Sequence, residues 1–121
     1  MVLVDSSVWV SHLKGGHRHL KELLHGTQVM CHDFIVGELA CGNLENRKEI
    51  LDLLETLSRA PLLSQEEILY FIERHALMGS GVGFVDAHLL ASAQFSGIPL
   101  WTLDNSLKRA TSKLGLTYKF F

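Results

Sequence analysis

Val2-Leu3-Val4 runs without alternation into Asp5, and Leu100-Trp101-Thr102-Leu103 runs in the same way into Asp104. A short apolar run with no polar face suits a strand covered on both sides, as in a parallel sheet, better than a half-exposed antiparallel strand. Parallel neighbours need long crossovers, usually helical, and the stretches between these runs supply them. Ser6 to Leu13 reads as a capped helix stopped at Lys14-Gly15-Gly16, and His17 to His25 as a short one carrying Leu20, Leu23 and Leu24 on one face. Gln28 to Cys31 predicts a second strand, and Asp33 a cap for a helix through Ala40. Ile50, Leu53, Leu54 and Leu57 recur at helical steps.

Pro61-Leu62-Leu63 predicts a short strand, and Ser64-Gln65-Glu66-Glu67 has the capping-box spacing, opening a helix with Ile68, Leu69, Ile72 and Ala76 inward. Gly79 to Gly83 breaks the pattern, lacks the Lys-Ser/Thr ending of a phosphate-binding loop and follows a helix instead of a strand. Phe84 to Phe95 is apolar nearly all round, as in a helix buried between neighbours. Asn105 to Leu114 forms a last helix, and Thr117 to Phe120 an edge strand. Strands alternating with helices imply an α/β protein, a mostly parallel sheet with helices on both faces.

The 121 residues, 13.5 kDa and 47% apolar content suit one domain spanning 1–121. A formal charge of -2 argues against wholesale electrostatic binding of nucleic acid, so any such contact must be local. Cys31 and Cys41 match neither a redox pair nor a zinc knuckle and read as reduced core residues. Asp5 interrupts the opening apolar run far short of a signal or membrane segment, which leads to the expectation of a cytoplasmic protein without a membrane.

Most of the 13 acids have ordinary roles on wet helix faces or in first turns. Four do not. Asp5 and Asp104 follow buried runs and project from the carboxyl ends of strands, where open α/β sheets place their ligands. Glu38 and Asp86 are lone charges in the core-like runs Phe34 to Cys41 and Phe84 to Ala87, and a buried carboxylate needs a partner. Each aspartate has an alternative as a helix cap, and Glu38 as half of an ion pair. Together they imply a cation, because two unit charges about 4 Å apart repel by roughly 4 kcal/mol at an effective dielectric near 20. Oxygen donors without a His/Cys ligand spacing select Mg²⁺ or Mn²⁺ over zinc.

In order and spacing, Val4-Asp5-Ser6-Ser7-Val8-Trp9, Gly37-Glu38-Leu39-Ala40, Val85 to Ala93 and Leu100 to Asp104 resemble the motifs of PIN domains, specifically the VapC toxins of bacterial toxin–antitoxin pairs. Asp33 departs from the pattern, standing where such chains carry proline. The resemblance implies a three-layer α/β/α fold with a five-stranded parallel sheet, and hydrolysis of RNA supported by Mg²⁺ or Mn²⁺. Carried over by position, Asp5 and Asp86 are the foremost ligands, Glu38 and Asp104 complete the quartet, and Ser6, Ser7 and Thr102 orient carboxylates or water. It further implies a homodimer and a small VapB-like antitoxin in the acidic groove. Lys14, Arg18, Lys108 and Arg109 lie beyond the Asp5 and Asp104 ends and are candidates to hold flanking phosphates of RNA, or plain solvated helix ends.

Two other readings compete. A receiver or an aspartyl phosphatase could use Asp5, but the first wants adjacent acids and the second an aspartate where Ser7 stands. A catalytically inert PIN-like interaction module would need no acidic quartet.

Overall fold

The computed structural model describes residues 1–120. Its strands are β1 (Val2–Val4), β2 (Val29–Cys31), β3 (Ser58–Arg59) and β4 (Leu100–Trp101). The helices are α1 (Ser6–Gly15), α2 (Arg18–His25), α3 (Asp33–Cys41), α4 (Arg47–Thr56), α5 (Gln65–Arg74), α6 (Phe84–Ser96) and α7 (Asn105–Leu114). The strands lie in the order β3-β2-β1-β4, all parallel. Val2, Leu3 and Val4 are all buried although successive side chains point to opposite faces, so helices cover both sides of the sheet. The fold is a three-layer α/β/α arrangement.

The chain steps outward from β1 to β2 and β3, then returns to pair β4 with the other side of β1. The order therefore reverses between β1 and β4, and the Asp5 amide donates to the Trp101 carbonyl (2.9 Å) where both strands end. Reversals of this kind are where open α/β sheets place their ligands, at the carboxyl ends of the strands.

Several expectations change in detail. The sheet has four strands instead of five: the expected edge strand from Thr117 to Phe120 contributes a lone bridge, Leu100 to Thr117, after which Tyr118 and Phe120 pack their rings against Trp101 and His19. The third strand lies at Ser58–Arg59, before Pro61, whose missing N–H suits the loop better than a ladder. Helix α3 is capped by His32, with Asp33 in its first turn. Leu69 is 52% exposed, Ala76 lies beyond α5 at φ +50°, and Phe84 and Phe95 at the ends of α6 are exposed. Only the middle of α6, Ala87 to Ala93, is buried throughout, and Gly97 in the left-handed region closes it. Cys31 is buried, but Cys41 is exposed at the end of α3. The capping box forms as expected: Ser64 Oγ accepts the Glu67 N–H (3.1 Å) and the Glu67 carboxylate accepts the Ser64 N–H (2.8 Å). Among the described residues no helix is long and apolar enough to cross a membrane.

His32 braces the layers. Its Nδ1 accepts the Phe34 N–H (3.0 Å), and because the Ser92 hydroxyl already donates to the Pro61 carbonyl (2.7 Å), His32 Nε2 must carry the proton toward Ser92 Oγ (3.2 Å). The imidazole is thus held neutral between α3, α6 and the loop after β3. Burial, then the neighbouring His88, pull its pKa down from 6.5 to about 4. Between these values the unfolded chain binds a proton that the folded chain refuses, so this contribution is intact above pH 6.5 and lost as pH falls toward 4. His32→Asn keeps a capping side chain and cannot titrate. In urea denaturation it should cost about 1–2 kcal/mol at neutral pH through the lost Ser92 bond, and it should flatten the acid limb that wild type shows. An unchanged acid limb would remove His32 as its source.

Candidate functional site

Asp5 leaves β1 in extended conformation and caps α1, but its N–H contact from Ser7 is long at 3.4 Å. The strong bonds come from hydroxyls. Ser7 Oγ donates to Asp5 Oδ2 (2.6 Å) and accepts the Leu103 N–H (3.0 Å), while Thr102 Oγ1 donates to the same Oδ2 (2.8 Å) and accepts the Asp104 N–H (3.0 Å). The clamp follows from register, since Val4 pairs with Trp101 and the next residues on each strand, Asp5 and Thr102, leave side by side. Asp5 is 4% exposed, and its Oδ1 is left with a 3.5 Å approach from Ser6 Oγ.

Ser6 turns to Glu38 as well, donating to its carboxylate at 3.2 Å where α3 packs on α1. Glu38 is exposed, against the expectation of a buried charge, yet its carboxyl is partly desolvated. Desolvation raises its pKa, the Ser6 hydroxyl opposes that, and Asp5 adds to it. Asp104 does cap α7, accepting the Leu107 N–H on Oδ2 (2.8 Å).

Asp86 occupies the first turn of α6, whose cap is Gly83. The loop before it passes close over α7 at Gly81 (φ +86°), where a Cβ would meet Ser106 Oγ at 2.8 Å. Only glycine permits that approach, which brings the start of α6 to the start of α7 and hence Asp86 toward Asp104. Burial is the largest influence on Asp86, followed by the charges of Asp5, Asp104 and Glu38, and together they push its pKa from 3.8 up to about 6. The α6 macrodipole, worth about 0.3–1 kcal/mol to an acid in the first turn, pulls the other way and does not prevail.

All four acids therefore share one electrostatic neighbourhood. Among the described residues none of them has Lys, Arg or His within 4.0 Å. Nor do any three of the described His, Cys, Asp and Glu side chains form a closed ligating cluster. The two observations are compatible: uncompensated carboxylates spread apart, and Mg²⁺ usually takes one or two carboxylates and fills its octahedron with water and phosphate. The donor set is all oxygen, with Asp5 Oδ1 and the whole Asp86 carboxylate free of strong hydrogen bonds, and this fits such an ion.

The cations are less uniform. Arg18 is nearly fully exposed and pairs with Glu22 (3.5 Å), and Arg109 donates to Ser106 Oγ (3.0 Å) on α7, where Lys108 is also exposed. Asp33 is balanced by Arg59 (3.2 Å), so the departure from the family pattern adds little free charge. The roles of His32 and Ser92 were not legible in advance, because Asp33 is the better capping residue on sequence alone.

Residues 2–113 match the family model of the PIN domain. The chain belongs to the PIN-domain family. Ribonuclease VapC32 from two strains of Mycobacterium tuberculosis is 42% identical to this PIN domain over 117 residues, covering 96% of the chain and 94% of the relative. The crystal structure of PAE2754 from Pyrobaculum aerophilum superposes with a TM-score of 0.66 at 16% identity, over 95% of this chain and 93% of that one, a likeness of fold.

In this PIN domain the raised Asp86 pKa carries a stability cost. The folded state keeps a proton that the unfolded state releases between pH 3.8 and about 6, so stability from this group falls as pH rises through that window and the penalty is complete at pH 7. His32 acts with the opposite sign, and variants separate the two. At pH 7 in EDTA, Asp86→Asn should melt a few degrees above wild type and gain less from added Mg²⁺. Melting below wild type would show that Asp86 is not under like-charge strain.

Proposed function

We propose that this chain is a Mg²⁺- or Mn²⁺-dependent endoribonuclease, the toxin of a toxin–antitoxin pair, built as one PIN domain over residues 1–121. The observation that carries the reading is that the charges of Asp5, Asp104 and Glu38 all act on the half-buried Asp86, with no Lys, Arg or His within 4.0 Å of any of the four among the described residues. Its support is the likeness to a relative named as a ribonuclease.

Asp5 and Asp86 would hold the ion, with Glu38 and Asp104 completing the shell directly or through water. When bound, the ion lowers the pKa of a water and steadies the charge of the phosphate under in-line attack. The protein's own part is positional. Ser7 and Thr102 saturate Asp5 Oδ2, which fixes the carboxylate and leaves Oδ1 with only the 3.5 Å approach of Ser6 Oγ. Ser6 ties Glu38 to Asp5 across α1 and α3, and the Leu107 N–H holds Asp104 by one oxygen. Four negative charges alone would repel the scissile phosphodiester, so that phosphate enters among the carboxylates only with the cation, while flanking RNA can be held elsewhere.

A VapB-like antitoxin offering a basic side chain to these carboxylates is the partner that the reading implies. A homodimer belongs to it too, and the exposed Tyr70 and Phe95 beside a cleft of about 420 Å³ between α5 and α6 are apolar surface of the kind a second copy covers.

Expressing wild type, Asp5→Asn and Asp86→Asn with and without a candidate antitoxin, and mapping new RNA ends, tests the proposal. Wild type should generate ends that Mg²⁺ chelation suppresses, and each substitution should lower cleavage at least a hundredfold, on the order of the loss of one electrostatic stabiliser. Ser7→Ala should fall between them. Cleavage that survives Asp86→Asn unchanged would refute the assignment, and a folded wild type inert on all cellular RNA would favour the interaction module.

A further inference from the structure

A groove of about 1060 Å³ begins at Ser6 and Glu38 and runs between α1, the start of α2 and the α3–α4 connection. Its charged lining is mixed: Glu38 lies at one end and Glu45 on the α3–α4 connection, while Lys14 at the close of α1 and Lys21 on α2 line the same groove. Neither lysine has an acid within 4.0 Å among the described residues, whereas Arg18 and Lys48 do. His12 lies close enough to Lys21 to feel its charge, and its Nδ1 accepts the His17 N–H (2.8 Å), which leaves Nε2 as an N–H donor on the groove wall. Leu13, Leu39 and Ile50 make part of the lining apolar.

Cations without internal partners, a neutral donor and an aliphatic wall form a combination that suits a single nucleic-acid strand, phosphates on one side and base faces on the other. A duplex offers its phosphates but keeps its base faces stacked. Resting on the ribonuclease reading above, we propose that a single-stranded RNA segment flanking the cleaved bond lies in this groove, with Lys14 and Lys21 holding its phosphates and His12 positioning it. The strand leaves the carboxylates along α1 and α2, not across α7. Lys14 and Lys21 are positioning residues and touch no reacting atom.

The test uses a short fluorescein-labelled single-stranded RNA pool of random sequence, bound by the full chain in EDTA so that it is not cleaved, and followed by anisotropy across a salt series. Lys14→Ala with Lys21→Ala should weaken binding roughly tenfold and lower the slope of log affinity against log salt by about 0.7 for each lysine lost. Mg²⁺-dependent thermal stabilisation should stay at the wild-type value, and Lys113→Ala, the loss of one charge on α7, should leave the slope unchanged. Photocrosslinks from 4-thiouridine in the same pool should fall on residues 10–16 or 39–46. Equal affinity and slope in the double variant, or crosslinks confined to α7, would overturn the groove assignment while wild-type cleavage kept the ribonuclease reading intact, and would leave the groove to a peptide partner. A wild type that bound metal but no RNA would overturn both.

Discussion

Asp5 is a buried carboxylate with no Lys, Arg or His within 4.0 Å among the described residues, and the arrangement of the molecule around it explains how that is tolerated. Its charge is met by hydroxyls: Ser7 and Thr102 both donate to Oδ2, and each accepts a backbone N–H from the segment after β4. Such charge-assisted bonds are stronger than neutral ones, but they depend on β1 and β4 being neighbours in register. The reversal of strand order that places them side by side thus creates the clamp, where sheets of this kind place their ligands.

The remaining acids reach that point by different routes. Asp104 comes from the adjoining strand end, Glu38 from a helix packed on α1, and Asp86 from a helix whose approach depends on a glycine passing over Ser106. Gathering four like charges opposes folding, and the half-buried Asp86 bears most of that opposition. The fold offsets it with apolar burial on both sheet faces and with a neutral histidine brace between α3 and α6. A site that costs stability is the usual pattern of a functional centre in a marginally stable domain.

The distribution of basic residues complements the distribution of acids. With a net charge of -2 the chain has no general attraction for a polyanion, so location decides which cations matter. Arg18, Arg59 and Lys48 are engaged by neighbouring acids, whereas Lys14 and Lys21 border a groove that begins at Glu38. Local steering is then possible without a basic surface.

Residue order alone carried the α/β class, the buried parallel strands, the capping box at Ser64 and the four unusual acids, because these depend on local periodicity and on charges placed within apolar runs. Ser6, Ser7 and Thr102 were expected beside them only through the resemblance to PIN domains. Residue order overstated the sheet by a strand, since a run of β-formers after Gly115 pairs or not according to what its aromatics can pack against. It misplaced the cap of α3, since whether His32 or Asp33 caps depends on the partners that surround an imidazole in three dimensions, here Ser92, 60 residues away. Which carboxylate bears the repulsion, which lysine is free and which face of α3 turns to Ser6 were likewise settled by tertiary structure alone: each is a distance between distant segments, and pattern along the chain holds no measure of it.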